Sequence, residues 1–550
     1  MSDPLIFEES VVHETPATPF TDKDYAWVID QQQGSYSSGQ IVFDCSTLAS
    51  SSRFQSWKEA YLEIPLVLSL NDTATNLGVN GPFMCGLKSG YTQLIHSFQV
   101  EVNGKTVVQL TPYSNVFMSF KQITEWSKDT LAKFGPALGF AKDNPLAFQY
   151  SAYGTASADG DGVCNNRNYG TQTSSLSGAA PGETSNQGFC QRQREAAIDF
   201  TQAPWSNFMS ATNAGTVGKP YYNSGATLNA NTGYKVWYYV AKVRLIDLST
   251  DFFEKIPLIK GANVRISLNM NTGTAAIARA TATTMSLSTA NSNFLGGTFP
   301  AMMASFTANN GSAGITTGTT TLSLNVSIAK VNNSALNANG TSHPTMTACR
   351  LYVPLVELNP DYASQLISAG TKRKITYTDL VYYKITNVSG TFTQLITNGV
   401  ARPKRLLIVP FWSTSNANAY SPLLSPFDTA PATTTPLIAL TQLNIQLSGQ
   451  NVWSMNQQYD WEQFMAELSD TGLNGGKIRE LGSGLLDSLD HQTSYRYYVC
   501  NIGRSLPAEA SIPKALQIMG TVAGAVAVDL YVFCEFEKEI TIDIVTGQVV

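Results

Sequence analysis

Ser97-Phe98-Gln99-Val100-Glu101-Val102-Asn103-Gly104-Lys105-Thr106-Val107-Val108 is the stretch from which the fold is read. Polar and apolar residues alternate through Val102, the pattern of a strand with one buried and one wet face. Asn103-Gly104 supplies two residues that tolerate positive φ, as a type I′ turn needs, and residues 105–108 lead back. A tight hairpin commits the sheet around it to antiparallel pairing.

Outward from the hairpin the same signal recurs. Ile41-Val42-Phe43 and the nearly continuous apolar run 61–68 precede it. Residues 234–245 follow, continuing in a β-pattern through Asp251-Phe252-Phe253, 256–261 and the alternating 264–268. Val116, Phe117, Phe120 and Ile123 recur at helical spacing, which predicts one helix over 114–134 ending at Gly135-Pro136. Residues 140–233 are rich in Gly, Ser, Asn, Thr and Tyr with little periodicity, and read as a decorated loop with short strands. A second polar tract, 271–345, contains one clear strand at 321–328. The chain then begins again: Val353-Pro354-Leu355-Val356 echoes Ile64-Pro65-Leu66-Val67. In this second half Asn359 caps and Pro360 starts a short helix that stops at Gly370. Strands are expected at 375–385, 405–411, 443–447, 495–499, 515–519 and 526–535. Trp461, Phe464, Met465 and Leu468 mark a further helix. Many strands, few helices and hairpin signals predict an all-β chain of two β-sandwich or jelly-roll domains. The expected division is an extended arm over 1–35, a first jelly roll over 36–272 with its insertion at 140–233, and a second over 273–550 with the polar tract at 273–345.

Composition removes several function classes. Charged residues make up 14% of the 550, where about 25% is usual. A net charge of −5 gives no electrostatic footprint for nucleic acid. The abundance of aromatic residues (8 Trp, 24 Tyr, 25 Phe) argues against disorder. The first ten residues lack the positive and apolar regions of a signal peptide, and the apolar stretch 522–533, interrupted by Asp529, is too short to span a bilayer. Cys45, Cys85, Cys164, Cys190, Cys349, Cys500 and Cys534 are scattered and never form CxxC. They read as reduced core thiols, with pairing of Cys164 and Cys190 left open. The first 35 residues carry seven acids against Lys23 alone, a charge of −6, with Pro4, Pro16 and Pro19 punctuating an arm that needs a partner surface.

A search for chemistry finds decoys. His13, His96, His343 and His491 have no second ligand at metal spacing, and His96 reads as a structural residue at a strand start. Gly81-Pro82-Phe83-Met84-Cys85-Gly86-Leu87-Lys88-Ser89 approaches a phosphate loop, but Leu87 separates glycine from lysine and no helix follows. Asp159-Gly160-Asp161-Gly162 suggests a calcium loop, yet the twelfth position is Gly170 where a bidentate Glu is required. Neither GxSxG nor HExxH occurs. Trp237-Tyr238-Tyr239 and Tyr495-Arg496-Tyr497-Tyr498 read as core and interface packing rather than stacking platforms. No catalytic, cofactor-binding or metal residue is therefore expected, and no cofactor.

The residues that carry a family likeness are Gly34-Ser35-Tyr36-Ser37-Ser38-Gly39-Gln40-Ile41, Glu59-Ala60-Tyr61-Leu62-Glu63-Ile64-Pro65-Leu66, and Leu94-Ile95-His96-Ser97 leading into Val102-Asn103-Gly104. To these are added Asp251-Phe252-Phe253 with Pro257-Leu258-Ile259-Lys260-Gly261, the segment from Pro403 to Pro410, and Tyr495-Arg496-Tyr497-Tyr498 ahead of Asn501 and Arg504. In this order the chain, over about residues 25–547, resembles the double-jelly-roll major capsid proteins of polinton-like viruses and virophages. It is more distantly similar to adenovirus hexon and the capsid proteins of giant DNA viruses. The resemblance implies a non-enzymatic building block of the virion. Its homotrimers would be pseudo-hexameric capsomers tiling an icosahedral shell around double-stranded DNA, assembled in the host cell and not secreted. Its partners would be neighbouring capsomers, penton and minor capsid proteins, with an internal membrane left open and no sequence-specific nucleic-acid contact. The acidic arm fits this better than a shell protein that condenses its genome with a basic tail. The competing classes are a carbohydrate-binding or adhesive β-sandwich such as a spike or penton, expected to expose an aromatic platform, and a β-sandwich glycosidase, which needs two acids about 5–10 Å apart.

Overall fold

The hairpin forms as expected: Ile95–Val102 pairs antiparallel with Lys105–Val108, and Asn103 and Gly104 take φ of 47° and 78°. In this computed structural model the described residues are 19–72 (without 35), 83–143, 188, 192, 208–209, 221–223, 234–281, 284–305, 321–328, 348–414, 421–435 (without 427), 438–470, 484–503, 512–524 and 527–549.

The first part of the chain provides β1 (Phe20–Ile29), β2 (Gln40–Asp44), β3 (Phe54–Gln55), β4 (Tyr61–Asp72), β5 (Phe83–Leu87), β6 (Ile95–Val102) and β7 (Lys105–Val108). There follow β8 (Phe208–Met209), β9 (Tyr221–Asn223), β10 (Tyr234–Arg244), β11 (Val264–Met270), β12 (Thr272–Thr281), β13 (Thr284–Leu295), β14 (Ala301–Ser305), β15 (Thr321–Ile328) and β16 (Arg350–Leu358). One sheet runs β2-β11-β6-β7. A larger one is centred on β4, with β10 along one edge, and β5 pairs with β14 in a separate two-stranded sheet. On its opposite edge β4 pairs β16 through Tyr61–Glu63 and β15 through Leu66–Asp72. Pro65, which has no N–H to give a ladder, stands at that changeover. Ile64, Leu66, Val67 and Leu68 are all fully buried. This explains the continuous apolar run: the strand is covered on both faces. Beyond β15 the sheet continues into β12 and β13, and beyond β16 into β1.

The second part provides β17 (Lys372–Val388), β18 (Thr391–Val400), β19 (Pro403–Trp412), β20 (Ala439–Leu447), β21 (Gln450–Asn451), β22 (Tyr498–Asn501), β23 (Lys514–Ala523) and β24 (Val528–Asp543). They form two four-stranded sheets, β17-β24-β19-β22 and β18-β23-β20-β21. Counted from one within this unit, the orders are 1-8-3-6 and 2-7-4-5, the strand order of a jelly roll. Two large apolar clusters fill the molecule. One is built chiefly from residues 28–353, and the other chiefly from 380–534 with the helix Ser114–Glu125 inserted into it.

Several sequence expectations are corrected. The helix over 114–134 is two, Ser114–Glu125 and Lys128–Phe134. Trp126 is extended, and the Ser127 side chain accepts from the Thr130 N–H, capping a new start. Phe252–Lys255 is a helical turn rather than strand. It buries the adjacent Phe252 and Phe253 together, which a strand would send to opposite faces. The tract 271–345 holds β12, β13 and β14 besides the expected strand. Its Ala and Thr residues carry little β signal alone and are fixed by pairing with β15. The arm also finds a surface within its own chain: β1 lies antiparallel on β16. Arg53 pairs with Asp22 and Asp24 (2.8 and 3.0 Å), and Asp30 accepts from the Tyr36 hydroxyl (2.7 Å).

The two units meet along a hydrogen-bonded seam. The Val107 carbonyl accepts from the Tyr377 hydroxyl (2.5 Å) and from Lys538 Nζ (2.8 Å). Thr111 Oγ1 donates to the Leu380 carbonyl (2.9 Å), and Thr250 Oγ1 to that of Thr378 (2.7 Å). Tyr113, held at φ 56°, packs its ring 4.8 Å from His96 on one side and 5.3 and 5.1 Å from Tyr382 and Tyr531 on the other. Gly297 closes this stack, since a Cβ there would stand 2.3 Å from the Tyr113 ring. Gly297→Ala should therefore cost about 1–3 kcal/mol in chemical denaturation. Tyr113→Ala in the same chain should recover about 1 kcal/mol of that cost, because the nearer of the two crowding rings is gone and only His96, 2.8 Å from the Cβ position, remains. Additive losses would mean the ring is not what excludes the side chain.

Candidate assembly surfaces

The residues singled out from sequence are dispersed. His96 lies in β6, where Nδ1 accepts from the Gly297 N–H (3.2 Å), a structural contact at a sheet end. Lys88, at the end of the phosphate-loop decoy, is wholly buried and donates to the carbonyls of Ala430 (2.6 Å) and Leu423 (3.4 Å). Tyr495, Tyr497 and Tyr498 are core residues. Cys45, Cys349, Cys500 and Cys534 are free buried thiols. Burial pushes Cys534 up to about 12 and raises Cys45 and Cys349 as well, so these thiols stay protonated. His13, His343, Cys164, Cys190 and the Asp159–Gly162 motif lie outside the described residues, as do the side chains of Cys85, Trp237, Tyr238 and Tyr239. Among the described residues no group of three or more His, Cys, Asp or Glu is placed to hold a metal.

An open groove of about 500 Å³ lies over Val381, Val400 and Phe536, rimmed by Arg402, Glu537, Lys538 and Glu539. Its charges answer one another. Glu539 pairs with Lys374 (2.8 Å) and Arg402 (3.5 Å), and those cations hold its carboxyl below the usual range. Lys538 is directed to Val107 and Asp379. Three of the four rim charges are thus engaged in ion pairs.

Two surfaces stand out instead. In the second jelly roll, β18, β23 and β20 contain one charged residue, Lys514, and it is buried. Their outward side chains include Thr393, Leu395, Gln517, Met519, Thr521 and Thr441, and Leu395 is 65% exposed. The other sheet of the same unit is laced with charge, including Lys374–Glu539, Lys384–Asp529 and Arg405–Glu535. A solvent face ordinarily carries a quarter or more of charged residues, and depletion of charge marks the centre of protein interfaces. The second surface is aromatic. Tyr25 and Trp27 stand half exposed on β1. Beside them Tyr61 and Tyr352 stack at 4.9 Å, and the Arg350 guanidinium lies 5.0 Å from the Trp27 ring. Neither surface was singled out by motif reading. The signal for the first is in the sequence, as an absence of Asp, Glu, Lys and Arg from 391–400 and 439–447.

Two units per chain, each built on a pair of principal antiparallel sheets, define a double jelly roll. In a cryo-EM structure of the Sputnik virophage, a chain 11% identical to this one aligns over 97% of this chain and 89% of its own length, with a TM-score of 0.54. The mavirus major capsid protein, in a crystal structure, aligns at 9% identity over 100% of this chain and 94% of its own, with a TM-score of 0.43. The first likeness shows a shared fold. No family model matches the chain, and neither does any curated protein.

One buried titratable group makes the core pH-sensitive. His491 is 1% exposed and stacks on Phe464 at 4.5 Å. With the proton on Nε2 it donates to the Tyr497 carbonyl (3.1 Å), and Nδ1 has no partner among the described residues. Burial lowers its pKa from 6.5 to about 4; Arg496 adds to the shift, while Asp460 and the Tyr497 contact oppose it. Because the unfolded chain takes up the proton first, this contribution is intact above pH 6.5 and drains away as pH falls toward 4. The full loss is about 3 kcal/mol. His491→Gln should flatten the stability profile between those pH values relative to the parent in denaturation titrations; parallel profiles would refute the assignment.

Proposed function

We propose that this chain is a major capsid protein whose homotrimers form pseudo-hexameric capsomers in the icosahedral shell of a double-stranded DNA virus. The observation that carries this is the covalent pairing of two jelly rolls across a buried seam, which turns three chains into a ring of six similar units. In support, the Sputnik virophage chain shares the fold over nearly all its length, and the mavirus protein named above is a major capsid protein. The division we propose keeps 36–272 as the first roll, treats β12–β16 as strands added to that unit, and begins the second roll at Lys372. On this reading the chain works without catalysis, in the virion. Neighbouring capsomers, penton and minor capsid proteins are its partners.

The charge-free face of β18-β23-β20 supports self-association, because a second neutral surface of the same chain covers it without stranding a charge. The aromatic face at Tyr25 and Trp27 also suits sugar stacking, so an adhesive β-sandwich is the second reading.

Light scattering of the purified chain decides between them. One chain is 59.5 kDa, so a capsomer should weigh 3 × 59.5 = 178.5 kDa. Met519→Lys with Leu395→Lys should shift the mass to that of one chain without altering the circular dichroism. Thr376→Lys, on the charged sheet, should leave the trimer intact. A monomeric parent that binds glycans in an array through Trp27 would overturn the capsid reading.

A further inference from the structure

Arg192 is a charged side chain taken wholly out of water, and so is its partner Asp143. Its Nη2 lies 2.7 Å from Asp143 Oδ1, Nε donates to the Leu87 carbonyl (3.2 Å), and Nη1 donates to the Ala141 carbonyl. Gly188, four residues earlier, sits so close to the same segment that a Cβ would stand 2.1 Å from the Lys142 carbonyl oxygen. The long polar stretch between residues 143 and 234 is thus fastened to the body at 188 and 192.

The segments that Arg192 joins both continue into the second jelly roll. Next to Leu87, Lys88 donates to the carbonyls of Ala430 and Leu423. Next to Ala141, Lys142 pairs with the buried Asp490 and donates to the Leu485 carbonyl (3.0 Å). The Asp143 carbonyl accepts from the Tyr495 hydroxyl (3.1 Å). A buried ion pair is a poor way to gain stability, since an apolar pair of the same volume often does as well. What a guanidinium fork with three directed acceptors adds is a single permitted geometry.

We infer that Arg192 is a positioning residue, a clasp that joins Leu87, Ala141 and Asp143 and thereby fixes the first jelly roll in register with residues 423–430 and 485–495 of the second. The angle so fixed is the one on which closure of a three-chain ring depends, a step that rests on the capsomer reading.

Hydrogen exchange by mass spectrometry on the full chain tests this. Arg192→Met with Asp143→Asn removes both charges and nearly keeps the volume, so the protein should fold with a melting temperature close to the parental one. Amides in 423–435 and 485–499 should then exchange about tenfold faster or more, while those of β24 keep their parental rates. Arg192→Lys, which keeps the charge but loses the fork, should give the same pattern more weakly, and carries the comparison if the double variant does not fold. Parental exchange in both segments would overturn the inference, reducing Arg192 to a tether for its own stretch. The masses separate the two proposals. A trimeric parent and a non-trimeric double variant support the ring step. A monomeric parent removes the capsomer reading and leaves the clasp to stand on exchange alone.

Discussion

The seam at the Val107 carbonyl is the constraint from which the rest of the molecule follows. One backbone oxygen at the end of β7 accepts from both Tyr377 and Lys538, residues on adjacent strands of the other jelly roll. Burying that oxygen between two sheets is tolerable only because both donors arrive, and they arrive only if β17 and β24 hold their register. Around it the Tyr113 stack and the helix Ser114–Glu125 pass from one core into the other. The two rolls are two cores with a shared polar boundary, and that boundary sets their relative orientation more narrowly than apolar contact would.

Charge is distributed by the same logic. With few ionisable residues to place, the chain spends them where direction matters: in the Arg192–Asp143 pair, in Lys88 aimed at carbonyls, and in the ladder along β17 and β24. The remaining surface is solvated by Thr, Ser, Asn and Gln, which interact with water yet carry little desolvation cost when covered. A face such as β18-β23-β20 therefore suits repeated contact between identical copies, where like charges would otherwise meet.

Legibility in the sequence followed the strength of the local signal. The hairpin at Asn103-Gly104, the capped helix at Asn359-Pro360 and the doubly buried strand at Ile64–Leu68 were each readable, because turn chemistry, capping and continuous apolarity are local. β1, with Asp22, Lys23 and Asp24 in its first half, and β12, β13 and β18, rich in Thr, Ala, Ser and Asn, were not, because such residues become strand only when a neighbouring edge presents itself. Ser127 was a cap concealed inside a helical period, and Phe252-Phe253 a β-like pair that burial turned into a helical turn. Of the candidate surfaces, neither the neutral face nor Arg192 has a motif. One is defined by what is missing, and the other by acceptors 49 to 105 residues away along the chain.

Fusing two jelly rolls into one chain changes what an assembly must specify. Six separate rolls would need every contact in a ring encoded between free partners, each association paying translational and rotational entropy. In the proposed three-chain ring half of those contacts would be intramolecular and made once, during folding, with the effective concentration of a short tether. The halves are then free to differ. The first roll carries the added strands β12–β16 and the fastened insertion, and the second stays close to the minimal eight strands. Such a division allows one half to elaborate its surface while the other keeps a flat neutral sheet for packing. It also gives a role to the hydrogen bonds at the joint, from Tyr377, Lys538, Thr111 and Thr250: in the proposed ring an error of a few degrees there would be repeated three times, whereas the same error inside either roll would be absorbed by its own core.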